Sequence, residues 1–321
     1  MYDKNGILIA TPLRWDEACF SVPAIRALCS SGLAGGLLCP AEQEEFWETV
    51  CPLPITIYPE NATISKLLKI IGAGWEASLV WENERAAKAF AKLKIQKRLG
   101  PSDSPISKYL THPIETAEKS VEHRVHFYLN TCEKMGLPVK KPEYFLPANL
   151  GQKQQSNTVL LCPGSDFGIS YEWPLEKWQE LAIKLLDQGK KLTVACLIGG
   201  RGQGKALADK LGDRVGFFEA SPLAGTLPLL ASHALVISAD SSLPHLAAHA
   251  GTTCLTLFGP NEPLWKRPLG TRHVVAKKAV ECSPCFSEKC LLDQRCQTEL
   301  DVNTVFKAIP GLEGSAFDQH P

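Results

Sequence analysis

The densest set of groups able to do chemistry lies between residues 234 and 268. Asp240, Ser241 and Ser242 follow an apolar run, residues 234–237, that reads as a buried strand. They precede a helical pattern in which Leu243, Leu246, Ala247 and Ala250 recur at i, i+3, i+4 and i+7, with Pro244 in the first turn, where its missing N–H costs nothing. Gly251 stops that helix, and residues 252–258 form a second apolar run ending at Gly259 and Pro260. A helix N-terminus at the carboxyl end of a parallel strand offers free N–H groups and partial positive charge, which suits a phosphate. The Asp240 carboxylate can accept from a sugar hydroxyl, and the Ser241 and Ser242 hydroxyls can donate to phosphate oxygens. His245, one turn into the helix, is placed for a phosphate or sugar contact, although a structural histidine is the ordinary case. The residues leave two readings open here, a ligand site and a helix cap.

Other candidates sit at equivalent places. Asp16 and Glu17 begin a helical pattern just after the apolar run 6–10, so either carboxylate can be a general base or a charge that complements the helix dipole. Residues 163–174, PGSDFGISYEWP, follow the strand run 158–162; Gly164 and Gly168 let backbone approach a ligand, with Ser165 between them. Glu219 follows the run 215–218 and can accept from a ribose, or be an exposed loop acid. Residues 199–206, GGRGQGKA, match the outline of a phosphate loop, but Ala206 stands where magnesium needs Ser or Thr, so the stretch reads as a glycine-rich turn. Cys282, Cys285, Cys290 and Cys296 are spaced so that four thiolates can surround a tetrahedral zinc or iron; a structural metal site is expected, with free thiols or a disulfide as alternatives.

The elements that must position these residues alternate strand and helix along both halves. That pattern indicates parallel, doubly wound sheets. The 321 residues suffice for two domains, and the polar, proline-bearing stretch 138–157 marks the linker, giving an N-terminal domain over 1–150 and a C-terminal domain over 151–321. Two Rossmann-like α/β domains facing each other across a cleft are expected. Residues 100–119 read as a loop that grips an acceptor. The 34 basic and 34 acidic residues balance, which argues against a general nucleic-acid binder. No apolar run is long enough to span a bilayer, and the first residues do not read as a signal peptide, so a cytoplasmic location is expected.

Four stretches in order resemble the heptosyltransferase family of lipopolysaccharide synthesis, glycosyltransferase family nine. Residues 239–251, ADSSLPHLAAHAG, with 257–263, LFGPNEP, are similar to that family's D-[ST]-G-x-x-H-x-A-x-A-x-G and G-P-T-x-P signature. Residues 163–174 resemble its P-G-A/S to K-x-W-P loop, and residues 14–17 with 23–28 resemble its N-terminal G-D to P-A-I-R-A-L segment. The cysteine-containing tail completes the set. The resemblance implies a GT-B fold, with the nucleotide sugar held mainly by the second domain. It implies an inverting transfer with no catalytic metal, in which Asp16 is the base and ADP-heptose the donor. By the same resemblance Ser165, Ser241 and Ser242 stabilise the leaving diphosphate, Asp240 binds the heptose and Glu219 the ribose. The acceptor would be a cell-envelope glycan or glycolipid such as the lipopolysaccharide inner core, met at the inner face of the inner membrane through peripheral contact at most. Tyr171 and Glu172 stand where the family carries its lysine before W-P; Ser242 and Trp15 replace usual glycines. Arg201, Lys266 and Arg267 are the cations that can compensate. A non-catalytic nucleotide-sugar-binding protein and a nucleotide-sugar epimerase of the same fold are the alternative readings.

Overall fold

The computed structural model describes residues 6–116, 122–151, 154–196, 202–219 and 226–309. The chain divides into two units, residues 1–146 and 147–321. In the first, the described elements run β1 (Ile7–Ala10), α1 (Trp15–Ser30), β2 (Ala34–Pro40), α2 (Glu44–Val50), β3 (Ile55–Tyr58), α3 (Ile64–Ile71), β4 (Ala77–Val80), α4 (Glu84–Lys92), β5 (Lys97–Pro101), β6 (His112–Ile114) and α5 (Val125–Lys134). All neighbouring strands pair in parallel, in the order β3-β2-β1-β4-β5-β6. The order reverses direction between β1 and β4, so the loops leaving those two strands diverge and leave a crevice at the carboxyl edge.

β1 is buried at every position, as a central parallel strand must be. α1 is buried on almost every side, with Ala18, Phe20, Val22, Ala24, Ile25, Ala27 and Leu28 all inaccessible. β5 and β6 correct the expected loop over 100–119, because Leu99 pairs with His112 and Pro101 with Ile114. Their sequences, KRLGP and HPI, carry no long apolar run: β6 is the edge strand, where Pro113 is tolerated, and β5, between β4 and β6, is only partly buried.

The second unit repeats the plan: β7 (Gln155–Cys162), α6 (Leu175–Asp187), β8 (Lys191–Cys196), α7 (Gly204–Leu211), β9 (Gly216–Glu219), α8 (Thr226–Ser232), β10 (His233–Ala239), α9 (Leu243–His249), β11 (Thr253–Phe258), α10 (Pro263–Lys266), β12 (Val274–Lys277), α11 (Arg295–Thr298) and α12 (Val302–Lys307). Its parallel order is β12-β11-β10-β7-β8-β9, with the reversal between β10 and β7. Trp173 and Trp178 pack edge to face, 5.5 Å between centroids, against Leu161, Leu181 and Leu185 in one continuous core. The Trp173 indole N–H donates to the Leu300 carbonyl at 2.9 Å, tying the start of α6 to the C-terminal helices.

That post is fully buried. Trp173→Ala should therefore lower the unfolding free energy by about 3–5 kcal/mol. Urea unfolding followed by circular dichroism checks this; an unmoved midpoint would contradict Trp173 as the post of the second core.

Candidate functional site

The reversal between β7 and β10 places two loops side by side, and both carry residues singled out from the sequence. The loop after β10 is Asp240 to Ser242. Asp240 is wholly buried; its backbone N–H donates to the Leu257 carbonyl at 3.1 Å, and its Oδ2 accepts from Asn261 Nδ2 at 2.8 Å. The loop after β7 reaches across. Ser165 Oγ donates to the Asp240 carbonyl at 2.6 Å and accepts the Phe167 N–H at 3.1 Å. Ser165, Asp240, Ser241, Ser242 and His245 are all buried on this edge. Ser241 Oγ accepts the Leu243 N–H at 3.3 Å, and thus caps the start of α9. The cap and the ligand reading therefore differ from residue to residue.

Asp166 was not foreseen. Its two carboxylate oxygens accept from Ser242, Oδ1 from the backbone N–H at 2.8 Å and Oδ2 from Oγ at 2.6 Å. A carboxylate thus occupies both donors of Ser242, the residue that the sequence offers to a phosphate. Only the acid in PGSDFG signalled this, and an acid in a presumed phosphate loop reads as misplaced until the partner is seen. Asn261 was passed over for a similar reason: it lies on a third loop, after β11.

Behind this edge stands a second polar layer. Glu172 is buried; its Oε1 accepts the Ser165 N–H at 3.2 Å and its Oε2 accepts from Gln203 Nε2 at 3.3 Å. Gly202, at φ +103, has room for no side chain: a Cβ would stand 2.7 Å from the Gly164 Cα. Residues 199–201 of the glycine-rich turn, Arg201 among them, lie outside the described residues; from Gly204 the stretch begins α7. Tyr171 is buried against Phe167, and its carbonyl accepts from Gln297 at 3.1 Å, so no cation enters from this position. Lys266 does approach: its Nζ lies 6.0 Å over the Phe167 ring. Glu219 is exposed at the end of β9, beyond β8 on the same carboxyl edge.

The four-cysteine loop gives the metal expectation no direct support. Cys282, Cys285, Cys290 and Cys296 share a neighbourhood, since burial and the three other thiols push the Cys296 thiol up to about 11. Yet among the described residues no three His, Cys, Asp or Glu side chains gather closely enough to hold a metal. The loop is pinned elsewhere. The Cys285 and Phe286 N–H groups both donate to the Pro260 carbonyl, and Phe286 stacks on Trp265 at 5.1 Å. It buttresses the loop after β7 instead: the Ser170 N–H donates to the Glu288 carbonyl, Gln294 reaches the Ile169 and Glu172 carbonyls, and Gly168, at φ +121, sits where a Cβ would be 2.4 Å from Glu288 O.

In the first unit, Asp16 opens α1 beyond β1. It is fully buried and paired in two-pronged fashion with Arg14, each contact 3.1 Å, while the Arg14 side chain remains largely exposed. Gln43 fixes the loop that carries them: its Nε2 donates to the Pro12 and Leu13 carbonyls at 3.0 Å, and its Oε1 accepts from Thr11 and Trp47. Glu17 faces elsewhere. Its Oε2 accepts from Arg124 Nε at 2.8 Å and from the Tyr128 hydroxyl at 2.6 Å, and Arg124 also pairs with Glu82. Burial opposes the Arg124 charge, but Glu17, Tyr128 and Glu82 outweigh it and hold the guanidinium above its usual range.

Two parallel, doubly wound units, each with its loops gathered at the point of reversal, are the GT-B architecture, and solved structures share it. The Escherichia coli ADP-heptose lipopolysaccharide heptosyltransferase II superposes with a TM-score of 0.75 at 18% identity, covering 94% of this chain and 96% of that one. An E. coli heptosyltransferase solved with ADP gives 0.72 at 16% identity, covering 94% and 98%. The sequence profile of glycosyltransferase family 9 (heptosyltransferase) matches residues 104–295, more than half of the chain, and the chain belongs to that family. Among curated relatives, the lipooligosaccharide heptosyltransferase 2 of Haemophilus influenzae is 27% identical over 159 residues, 44% of this chain and 46% of that protein. The chain thus spans about half the length of the curated relatives it matches.

Glu172 gives this edge a pH signature. Burial raises its carboxyl above the ordinary glutamate range, against the opposing Ser165 and Gln203 hydrogen bonds. The folded chain therefore keeps a proton that the unfolded chain has already released. Stability should fall as pH rises from the ordinary glutamate range through the folded value, and level off above it. Glu172→Gln should flatten that slope in urea midpoints measured between about pH 4 and 6; an unchanged slope would assign it to another group.

Proposed function

We propose that this chain is an inverting glycosyltransferase that takes a sugar from a nucleotide-activated donor, with ADP-heptose as that donor, and passes it to a cell-envelope glycan or glycolipid. One observation carries the reading: the loops after β7, β10 and β11 converge at the reversal of the second sheet, where Ser165, Asp240 and Asn261 are locked together by bonds of 2.6 and 2.8 Å. A site of this kind binds rigidly and discriminates by hydrogen bonding. Family membership supports the transfer chemistry, and structural neighbours solved with ADP and with ADP-2-deoxy-2-fluoro heptose support the donor class.

In the proposed reaction the acceptor hydroxyl attacks the anomeric carbon and its proton passes to the Asp16 carboxylate. The bond from that carbon to the distal phosphate oxygen breaks, the diphosphate leaves with the electron pair, and configuration inverts. Asp240 holds the sugar, Ser165, Ser241 and Ser242 the diphosphate, and Glu219 the ribose; His245 supports the phosphate side. Arg14, whose side chain is largely exposed, must swing off Asp16 before a hydroxyl can reach it. Lys266 supplies the cation that Tyr171 does not. No step runs through a metal. The chain acts at the cytoplasmic face of the membrane that presents the acceptor, and among the described residues no helix is long and apolar enough to cross that membrane.

The buried Tyr171 and the clamped Asp16 favour one second reading, a protein that binds a nucleotide sugar without transferring it. Calorimetry with ADP, UDP and GDP, then transfer from ADP-heptose to heptose-deficient lipopolysaccharide, separates the two. The proposal expects selective ADP binding and turnover that Asp16→Asn lowers at least about 100-fold while donor affinity is kept. ADP binding with no turnover would establish the second reading, and no binding to any of the three nucleotides would overturn both.

A further inference from the structure

The far end of α1 carries a feature unconnected with the proposed reaction. Cys29 lies in the last turn of α1 and Cys51 immediately follows α2. Their sulfurs are 3.5 Å apart, although 22 positions separate them in sequence. Cys51 is buried and Cys29 half-buried. The two backbones are held from both sides. The Cys51 N–H donates to the Trp47 carbonyl at 3.0 Å, ending α2, and Arg26, one turn before Cys29, donates from Nε to the Val50 carbonyl at 3.1 Å. The same guanidinium reaches the Tyr144 carbonyl at 3.0 Å and the Leu146 carbonyl at 2.5 Å, and Ser30 shares a 2.5 Å bond with the Tyr144 hydroxyl.

We propose that Cys29 and Cys51 are a dithiol site that closes reversibly to a disulfide when it meets a small-molecule disulfide such as oxidised glutathione. One thiolate of the pair attacks a sulfur of the reagent; the reagent's S–S bond breaks and one thiolate leaves. The second cysteine, as thiolate, attacks the protein sulfur of the mixed disulfide, forms the Cys29–Cys51 bond and expels the second thiolate. The protein gives up two electrons and two protons, and the reagent becomes two thiols. A protein disulfide spans about 2.05 Å between sulfurs, so the pair closes by a shift of about 1.5 Å. The Cys29 hydrogen bond, with a smaller contribution from Arg26, favours the Cys51 thiolate that the exchange needs. The Cys29 thiol supports the Cys51 thiolate by hydrogen bonding and lowers its titration, while the reverse partnership and burial raise Cys29. The bond would tie the ends of α1 and α2 to each other beside the carbonyls of residues 144 and 146, the close of the first unit. Asp16 lies at the opposite end of α1, about 20 Å away along the helix axis, so closure touches no residue assigned to transfer.

The test uses the whole native chain, first reduced, then equilibrated in buffers of graded reduced and oxidised glutathione, quenched in acid, alkylated and mapped by mass spectrometry. The expected result is a linked peptide pair joining Cys29 to Cys51, reversed by reducing agent, and an unfolding midpoint raised by several degrees in the linked form. Cys29→Ser and Cys51→Ser should each abolish that pair. If Cys29 and Cys51 are both alkylated after equilibration in the most oxidising buffer, or if either is linked to a different cysteine, the proposal is wrong. The wild-type map decides the matter without the variants, so a variant that folds poorly leaves the answer intact.

Discussion

The hydrogen bond from Ser165 Oγ to the Asp240 carbonyl is the contact on which the second unit's site depends. It joins two loops that the reversal of strand order sends in opposite directions, and it does so inside a buried edge where an unmade polar contact is costly. Around it the donors are paired in sequence. Asn261 takes up one Asp240 oxygen, Glu172 takes the Ser165 N–H, and Asp166 takes both donors of Ser242. The loops are therefore preorganised before any ligand arrives, which is how a polar site avoids ordering itself at the ligand's expense.

Charge is the second constraint. Asp166, Glu172 and Asp240 make this edge acidic, yet each carboxylate is committed to a backbone or amide donor. Lys266, which approaches this edge, stands at the end of α10, after β11, rather than on the loop after β7. In the first unit the balance is the reverse: Asp16 and Glu17 are each matched by an arginine, one largely exposed, the other half-buried in a network with Tyr128 and Glu82.

Much of this was legible in the sequence because parallel strands buried on both faces leave continuous apolar runs. β1, β4, β7, β10 and β11 all announce themselves, and so do the small and acidic residues at their carboxyl ends. The edge strand β6 and its neighbour β5 leave no such run, since both are only partly buried and are held by backbone pairing. The site residues that escaped notice, Asp166, Asn261, Glu172 and Gln203, act through partners distant in sequence, and no local pattern encodes such pairs. The cysteine spacing suggests a metal; the four thiols share a neighbourhood, but among the described residues no three stand close enough to hold one, and the loop's backbone is anchored to Pro260, Ile169 and Glu172.

Hydrogen exchange of the native chain with and without ADP tests the central claim most directly, because it locates the ligand without assuming catalysis. Slowed exchange concentrated in residues 163–171, 239–243 and 259–262 is the result expected of a nucleotide held where the three loops meet. Saturating ADP that leaves those three segments unchanged, or protects only segments elsewhere in the chain, would contradict it.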